Sequence, residues 1–166
     1  LTTDVGAFNS MVNYLWQVHQ PKTYFTSKGL STMGIALPAA IAARLAMPDK
    51  KVVCFTGDGG LLMRLQDLEI CSRLNLPIII VVFSDNALGL IKVKQKDAGF
   101  VPTAVQLKNF DFPMLIQAFG GQGFRARTEK EFDQAIERAM NSHKLSLIEA
   151  VLDPQTYGDH MKLIRG

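Results

Sequence analysis

Apolar residues along this chain fall into two kinds of run: short continuous ones, and longer ones with helical spacing. Val52-Val53-Cys54-Phe55 is continuous, and so is the run from Ile78 to Phe83. The second is rich in β-branched residues, the mark of a strand covered on both faces. Elsewhere apolar positions recur every three or four residues, as in Phe8, Met11, Val12, Leu15 and Trp16. The pattern predicts helices over 6–19, 34–46, 61–74, 112–119 and 129–140. It predicts strands over 23–26, 52–56, 78–83, 123–127 and 145–152. Local signals agree with these bounds. Pro48-Asp49 and Asn75 with Pro77 end helices, Asp111 leads one with Pro113 in its first turn, and Thr128 caps another. Residues 91–109 read as the longest irregular stretch and hold Lys92, Lys94, Lys96 and Lys108. A loop of that length is mobile or functional.

Strand–helix alternation with continuous apolar strands predicts an α/β fold, a parallel sheet flanked by helices on both faces. Ligands in such sheets bind beyond the carboxyl ends of the strands. Two acidic residues sit at such ends: Asp58 in Gly57-Asp58-Gly59-Gly60, and Asp85 in Ser84-Asp85-Asn86-Ala87-Leu88-Gly89. Two acidic oxygen ligands beside glycine-freed backbone suit a hard divalent cation holding a diphosphate, the more so with a helix starting after the first. Taken alone, the glycine–aspartate–glycine turn equally suits a tight turn with a capping aspartate. Its pairing with the second strand end carries the reading. Position 62 is leucine, so the G-x-G-x-x-G dinucleotide fingerprint fails, and no G-x-x-x-x-G-K-[ST] loop is present.

The two strand ends, in this order, resemble the cofactor signature of thiamine-diphosphate-dependent enzymes. Thr3-Asp4-Val5-Gly6 and the segment Ser27-Lys28-Gly29-Leu30-Ser31-Thr32-Met33-Gly34-Ile35-Ala36-Leu37-Pro38-Ala39-Ala40-Ile41 are similar to the acetolactate synthase, benzoylformate decarboxylase and pyruvate oxidase branch. The resemblance spans nearly the whole chain. It implies Mg2+ held by Asp58, the side chain of Asp85 and the backbone carbonyl of Ala87. The family often has asparagine at the second position, and sliding the match by one residue puts Asn86 there instead. The implied diphosphate contacts are Gly57, Asp58, Gly59 and Gly60, with the turn Gly6-Ala7-Phe8 opposite. Many relatives carry polar side chains at that turn and Ser or Ala at position 60, so Ala7 and Phe8 offer backbone alone. The Ser31 carbonyl and the Met33 N–H would meet the aminopyrimidine, with the Met33 side chain wedged between the two rings. Leu88, Gly89 and Leu90 would line the thiazolium side.

The resemblance therefore implies the diphosphate-binding, C-terminal domain of a 2-oxo acid decarboxylase or carboligase, acetolactate synthase-like. In such enzymes the activating glutamate belongs to a separate pyrimidine-binding domain. The expectation is that no catalytic residue lies in this chain and that the chain alone is silent. Glu69 matches a structural position. The implied partners are that pyrimidine-binding domain, on the same or another chain, a second copy in a homodimer or tetramer, and a small 2-oxo acid. An apolar face is expected around residues 29–40. Two alternatives stay open: the diphosphate-binding subunit of a two-chain decarboxylase acting on sulfopyruvate or phosphonopyruvate, and a degenerate domain that only mediates assembly. A tryptophan common near Lys94 in biosynthetic acetolactate synthases is missing.

Composition narrows the rest. A length of 166 residues suits one domain, 1–166, and the start at Leu1 inside a motif reads as part of a longer protein. A net charge of +3 with no basic stripe gives no argument for nucleic acid. No apolar stretch approaches the ~18 residues of a membrane span, and no signal peptide is visible. Cys54 and Cys71 form no metal pattern and read as core thiols of a cytoplasmic protein. His19, His143 and His160 show no spacing for a triad or a metal site. The alternating lysines read as a solvated basic loop, with contact to an anionic substrate as the alternative.

Overall fold

A computed structural model describes residues 1–157; His160 lies outside the described residues. Its six strands are β1 (Thr2–Thr3), β2 (Phe25–Thr26), β3 (Val52–Gly57), β4 (Ile78–Ser84), β5 (Gln122–Ala126) and β6 (Ser146–Val151). They form one sheet in the order β2-β1-β3-β4-β6-β5, with parallel pairing throughout. The helices between them are α1 (Ala7–Leu15), α2 (Ala36–Ala46), α3 (Asp58–Leu62), α4 (Asp67–Arg73), α5 (Gly89–Asp97), α6 (Phe112–Gln117) and α7 (Glu129–Met140). On one face Cys54, Ile78, Ile80, Val82 and Leu147 pack with Leu37, Leu68 and Ile116 from α2, α4 and α6. On the other, Ile79, Val81, Ile148 and Ala150 pack with Ala135 and Ala139 from α7. The α/β fold with helices on both faces is thus the one expected, and β4 is continuously apolar because alternate residues feed both cores.

Near α1 the second face is aromatic. Phe8 stacks on Phe83 at 4.6 Å between ring centroids, Phe83 meets Phe55 edge-on at 5.3 Å, and Trp16 meets Phe55 edge-on at 6.2 Å. The chain leaves β1 toward this face but leaves β3 toward the opposite one, where Leu61 of α3 joins the first core. Neighbouring strands whose connections diverge open a crevice at their carboxyl ends. Asp4, Gly6 and Asp58 all follow directly on those ends.

Several elements differ from the sequence pattern. The helix expected over 6–19 ends at Leu15, because Trp16 turns to extended backbone (φ −75°, ψ 116°) and gives its ring to Phe55. The helix expected over 61–74 starts earlier, at Asp58, and narrows in its middle. There Arg64, Asp67, Leu68 and Glu69 each donate to the carbonyl three residues back, the tighter 3-10 pattern, so α3 and α4 are separate pieces. Helix α5 occupies the first half of the stretch read as irregular. None of its residues is buried, so no apolar stripe marked it. Residues 103–107 then return to the site: Leu88 N–H donates to Val105 O and Leu107 N–H to Asn86 O, each at 2.8 Å. Strand β1 was not expected at all. Of the apolar face expected around 29–40, Leu30 is 91% exposed and Ile35 is exposed, whereas Ala36, Leu37 and Ala40 are buried in the first core.

One close approach fixes how α6 meets β5. A Cβ on Gly123 would overlap the backbone of Pro113, with its carbonyl carbon at 2.7 Å. Backbone cannot swing aside as a side-chain tip can. Gly123→Ala is expected to destabilise the protein by about 2–3 kcal/mol, the upper part of the overpacking range. Urea unfolding of the intact protein checks this, and a loss below about 0.5 kcal/mol would contradict it.

Candidate functional site

The cleft at the carboxyl ends of β1, β3 and β4 is built from backbone turns and two acids. Gly57 pairs with Phe83 in the sheet, so Asp58 and Asp85 leave adjacent strands side by side. Asp58 is 5% exposed. Its Oδ1 accepts from Gly59 N–H at 2.7 Å and its Oδ2 from Asn86 N–H at 2.8 Å. Asp85 Oδ1 accepts from Ala87 N–H at 2.9 Å. Burial pushes the Asp58 carboxyl up to about 6; the nearby Asp85 charge adds to this, while the Gly59 and Asn86 N–H groups oppose it. Asp85 is also raised, by burial, against the N–H of Ala87, the hydroxyl of Tyr157 and the charge of Lys92. Two acids held together at such a cost make a place where a cation is stabilised.

Of the residues singled out in the sequence, Gly6, Ala7, Phe8, Met33, Gly57, Asp58, Gly59, Gly60, Asp85, Ala87, Leu88, Gly89 and Leu90 all line this one cleft. Ser31 does not join that wall; it is exposed, in left-handed backbone (φ 49°). Asn86 enters through its backbone N–H to Asp58, and its φ of 58° turns the chain there. Glu69 pairs with Arg73 on the outer surface of α4. Lys92 acts on Asp85 by its charge, while Lys94, Lys96 and Lys108 are exposed. Close packing explains the glycines: a Cβ on Gly59 would press on Leu88 and Met33, and one on Gly60 would strike Asp4 and Thr56. Phe8 contributes more than backbone, since its ring lines the cleft and stacks on Phe83.

The pattern of apolar and polar residues did not reveal Asp4 or Tyr157. Asp4 is fully buried at the end of β1. It accepts from Gly34 N–H at 2.9 Å, Ile35 N–H at 3.1 Å and Thr56 Oγ1–H at 2.9 Å. It thereby ties the turn bearing Met33 to β3, the strand that leads into Asp58. Burial raises its carboxyl against those three bonds. Gly34 has a φ of 79°, a conformation that favours glycine, and this lets its N–H face Asp4. The motif Thr3-Asp4-Val5-Gly6 marked this neighbourhood by resemblance without giving Asp4 a role. Tyr157 follows the 3-10 turn Pro154–Thr156 and lines the cleft from the far side.

The sequence pattern of the family described as thiamine pyrophosphate enzyme, C-terminal TPP binding domain, matches residues 4–150. The chain belongs to this family. Thiamine pyrophosphate and thiamine diphosphate are one compound, so the match meets the cleft's two acids and glycine turns on common ground. The chain is 33% identical over 160 residues to a probable acetolactate synthase large subunit of Methanococcus aeolicus, covering 94% of this chain and 26% of that protein. It is 30% identical over 163 residues to an acetolactate synthase of Bacillus subtilis (98% and 28%). It is 33% identical over 158 residues to the acetolactate synthase isozyme 1 large subunit of Escherichia coli (93% and 28%). It is therefore a TPP-binding domain of the acetolactate synthase-like kind, and it spans just over a quarter of the length of these relatives. Among the described residues no helix is long and apolar enough to cross a membrane.

Proposed function

We propose that this chain is the diphosphate- and magnesium-binding part of a cytoplasmic thiamine-diphosphate-dependent 2-oxo acid decarboxylase or carboligase that makes acetolactate or a close analogue. The observation that carries the reading is the convergence of Asp58 and Asp85 beside Gly57–Gly60 at the end of neighbouring parallel strands. The donor set fits a hard dication. Among the described residues no group of three or more His, Cys, Asp or Glu side chains is placed to hold a metal ion by itself. Mg2+ commonly takes one or two carboxylates and completes its shell with phosphate oxygens and water rather than an all-protein cage. Asp58, Asp85 and the Ala87 carbonyl would hold the metal. The backbone N–H groups of Gly59 and Gly60, with the turn at Gly6, would meet the diphosphate. Met33 would support the ring end, with Leu88 and Leu90 beside it.

When bound, the cofactor supplies the carbon that attacks the 2-oxo group and the electron sink for decarboxylation. This chain's residues bind, orient and keep water out. Deprotonation of the cofactor needs a carboxylate that this reading assigns to a pyrimidine-binding domain, on the same or a partner chain of a homodimer or tetramer. The test is to supply the intact protein with thiamine diphosphate, Mg2+ and pyruvate and to measure carbon dioxide and acetolactate. Cofactor binding with no turnover of pyruvate or of other 2-oxo acids would refute the enzyme reading and leave a binding domain.

Asp4 provides a second check on the site. Asparagine at this position keeps one acceptor oxygen for three donors. Asp4→Asn is expected to weaken thiamine diphosphate several-fold, since each unmet buried donor costs about 1–3 kcal/mol and part of that falls on the Met33 turn. Binding of magnesium pyrophosphate, which has no ring end, should stay within about twofold. Calorimetry with both ligands measures the contrast. Equal losses for both would show that Asp4 supports the whole fold rather than the ring end.

A further inference from the structure

After β6 the chain turns sharply, with the Asp153 side chain accepting from Gln155 N–H at 2.9 Å. The turn returns Tyr157 to the cleft, far in sequence from the other lining residues. Its phenol lies beside the Asp85 carboxylate and lowers that group's pKa against the rise from burial. Its ring edge also lies against Gly89: a Cβ there would meet Tyr157 Cε2 at 2.8 Å and Asp85 Oδ2 at 2.5 Å. Ring, carboxylate and the Gly89 backbone thus share one three-way contact, and glycine at position 89 is what lets them close.

We propose that Tyr157 is a positioning residue for the metal: its hydroxyl fixes Asp85 so that the carboxylate faces Asp58 across the cleft. The proposal rests on the reading of this cleft as a magnesium–diphosphate site. Asp85 stands beside a second buried acid, and repulsion favours its turning away. Ala87 N–H holds Oδ1, and in this proposal the neighbouring phenol offers a second donor from a different element. A carboxylate has about four lone-pair positions, so it accepts both donors and still offers oxygen to a metal. Aspartate here brings a negative charge that asparagine would not, and the phenol disperses part of it. Hydrogen-bond partners of metal-ligating groups typically contribute about 10–100-fold in metal affinity.

Tyr157→Phe keeps the ring and removes only the hydroxyl, whereas Tyr157→Ala removes both. With the intact protein at saturating thiamine diphosphate, calorimetric titration of Mg2+ is expected to show about tenfold weaker binding for Tyr157→Phe. Without metal, amide exchange at Ala87 should accelerate in the same variant, because the Asp85 oxygen it bonds is no longer held. Weakening in the alanine variant alone would reduce Tyr157 to a packing wall and overturn the proposal. Tighter Mg2+ binding by Tyr157→Phe would also overturn it, by showing that the phenol stands where the metal belongs. If wild-type protein shows no magnesium-dependent binding, the site reading fails and the metal role falls with it. If wild type binds and Tyr157→Phe binds equally well with unchanged Ala87 exchange, the proposal alone fails.

Discussion

Asp58→Ala is expected to abolish magnesium-dependent binding of thiamine diphosphate, weakening it by at least about a hundredfold. Loss of a carboxylate that ligates directly should exceed the ~10–100-fold seen when its outer partners are removed. The carboxylate also holds two strand ends together through Gly59 and Asn86, so on the proposed magnesium reading its removal loosens the site as well as subtracting a ligand. Calorimetric titration of thiamine diphosphate with and without Mg2+, on wild type and variant, measures this. Binding within threefold of wild type would place the metal elsewhere.

The same residue makes the metal-free protein sensitive to pH. Burial lifts the Asp58 carboxyl from its ordinary 3.8 to about 6, so the folded state holds the proton more tightly than the unfolded chain does. A raised acid contributes stability below its unfolded value, and that contribution is lost as pH rises through the folded one. Stability of the metal-free protein should therefore fall by roughly 2–3 kcal/mol between about pH 4 and pH 6 on account of this group. Asp4 and Asp85 shift in the same direction. Asp58→Asn, which cannot titrate, should flatten that part of the curve. With Mg2+ and thiamine diphosphate bound, the dependence should reverse, because protonation below about pH 6 removes a metal ligand. Identical pH profiles for wild type and Asp58→Asn would show that the carboxyl is not held at the raised value.

Why some of this was legible in the sequence follows from what each element buries. Strand β4 lies between two cores, so it had to be apolar throughout, and the turns carrying Asp58 and Asp85 follow directly from strands of that kind. Helix α5 buries no residue, and nothing in Lys92-Val93-Lys94 separates it from a loop. Strand β1 is two threonines long; its place between β2 and β3 comes from Asp4 and from Thr2, whose hydroxyl donates to the Ala36 carbonyl at 2.9 Å. Tyr157 reaches the cleft because β6 inserts between β4 and β5, bringing the end of the described chain back to the middle of the sheet. That placement is a property of strand order, which local periodicity does not encode. Ser31 shows the converse: a motif identified its neighbourhood, but Asp4 draws in Gly34 and Ile35 and leaves Ser31 on the exposed side of the turn.

Arg125→Ala is expected to cause a large loss of stability although the side chain lies outside the cleft. Arg125 on β5 and Glu149 on β6 stand opposite each other in the parallel register. Arg125 Nε donates to Glu149 Oε2 at 2.7 Å, and its second amine lies 3.1 Å from Asp111 Oδ1. That same oxygen caps α6 by accepting from Met114 N–H at 3.0 Å. Glu149 is 3% exposed, whereas the Asp111 side chain is half exposed, so the Glu149 contact dominates. Without the guanidinium, a carboxylate is left in the core with no compensating charge, which costs about 3–5 kcal/mol. The arginine is partly solvated, so the lower end applies: about 3 kcal/mol, or a fall in Tm of roughly 6–12 °C. Arg125→Ala/Glu149→Ala should lose less than Arg125→Ala alone, because no orphaned charge remains. Urea unfolding of the three proteins separates these cases. A single-variant loss below about 1 kcal/mol would mean that water or relaxation rescues Glu149. The pair lies away from the cleft wall, so Mg2+ affinity at 25 °C should be unchanged. A parallel loss of metal affinity would instead tie the end of β6, and the turn that carries Tyr157, to the ion pair holding the sheet edge.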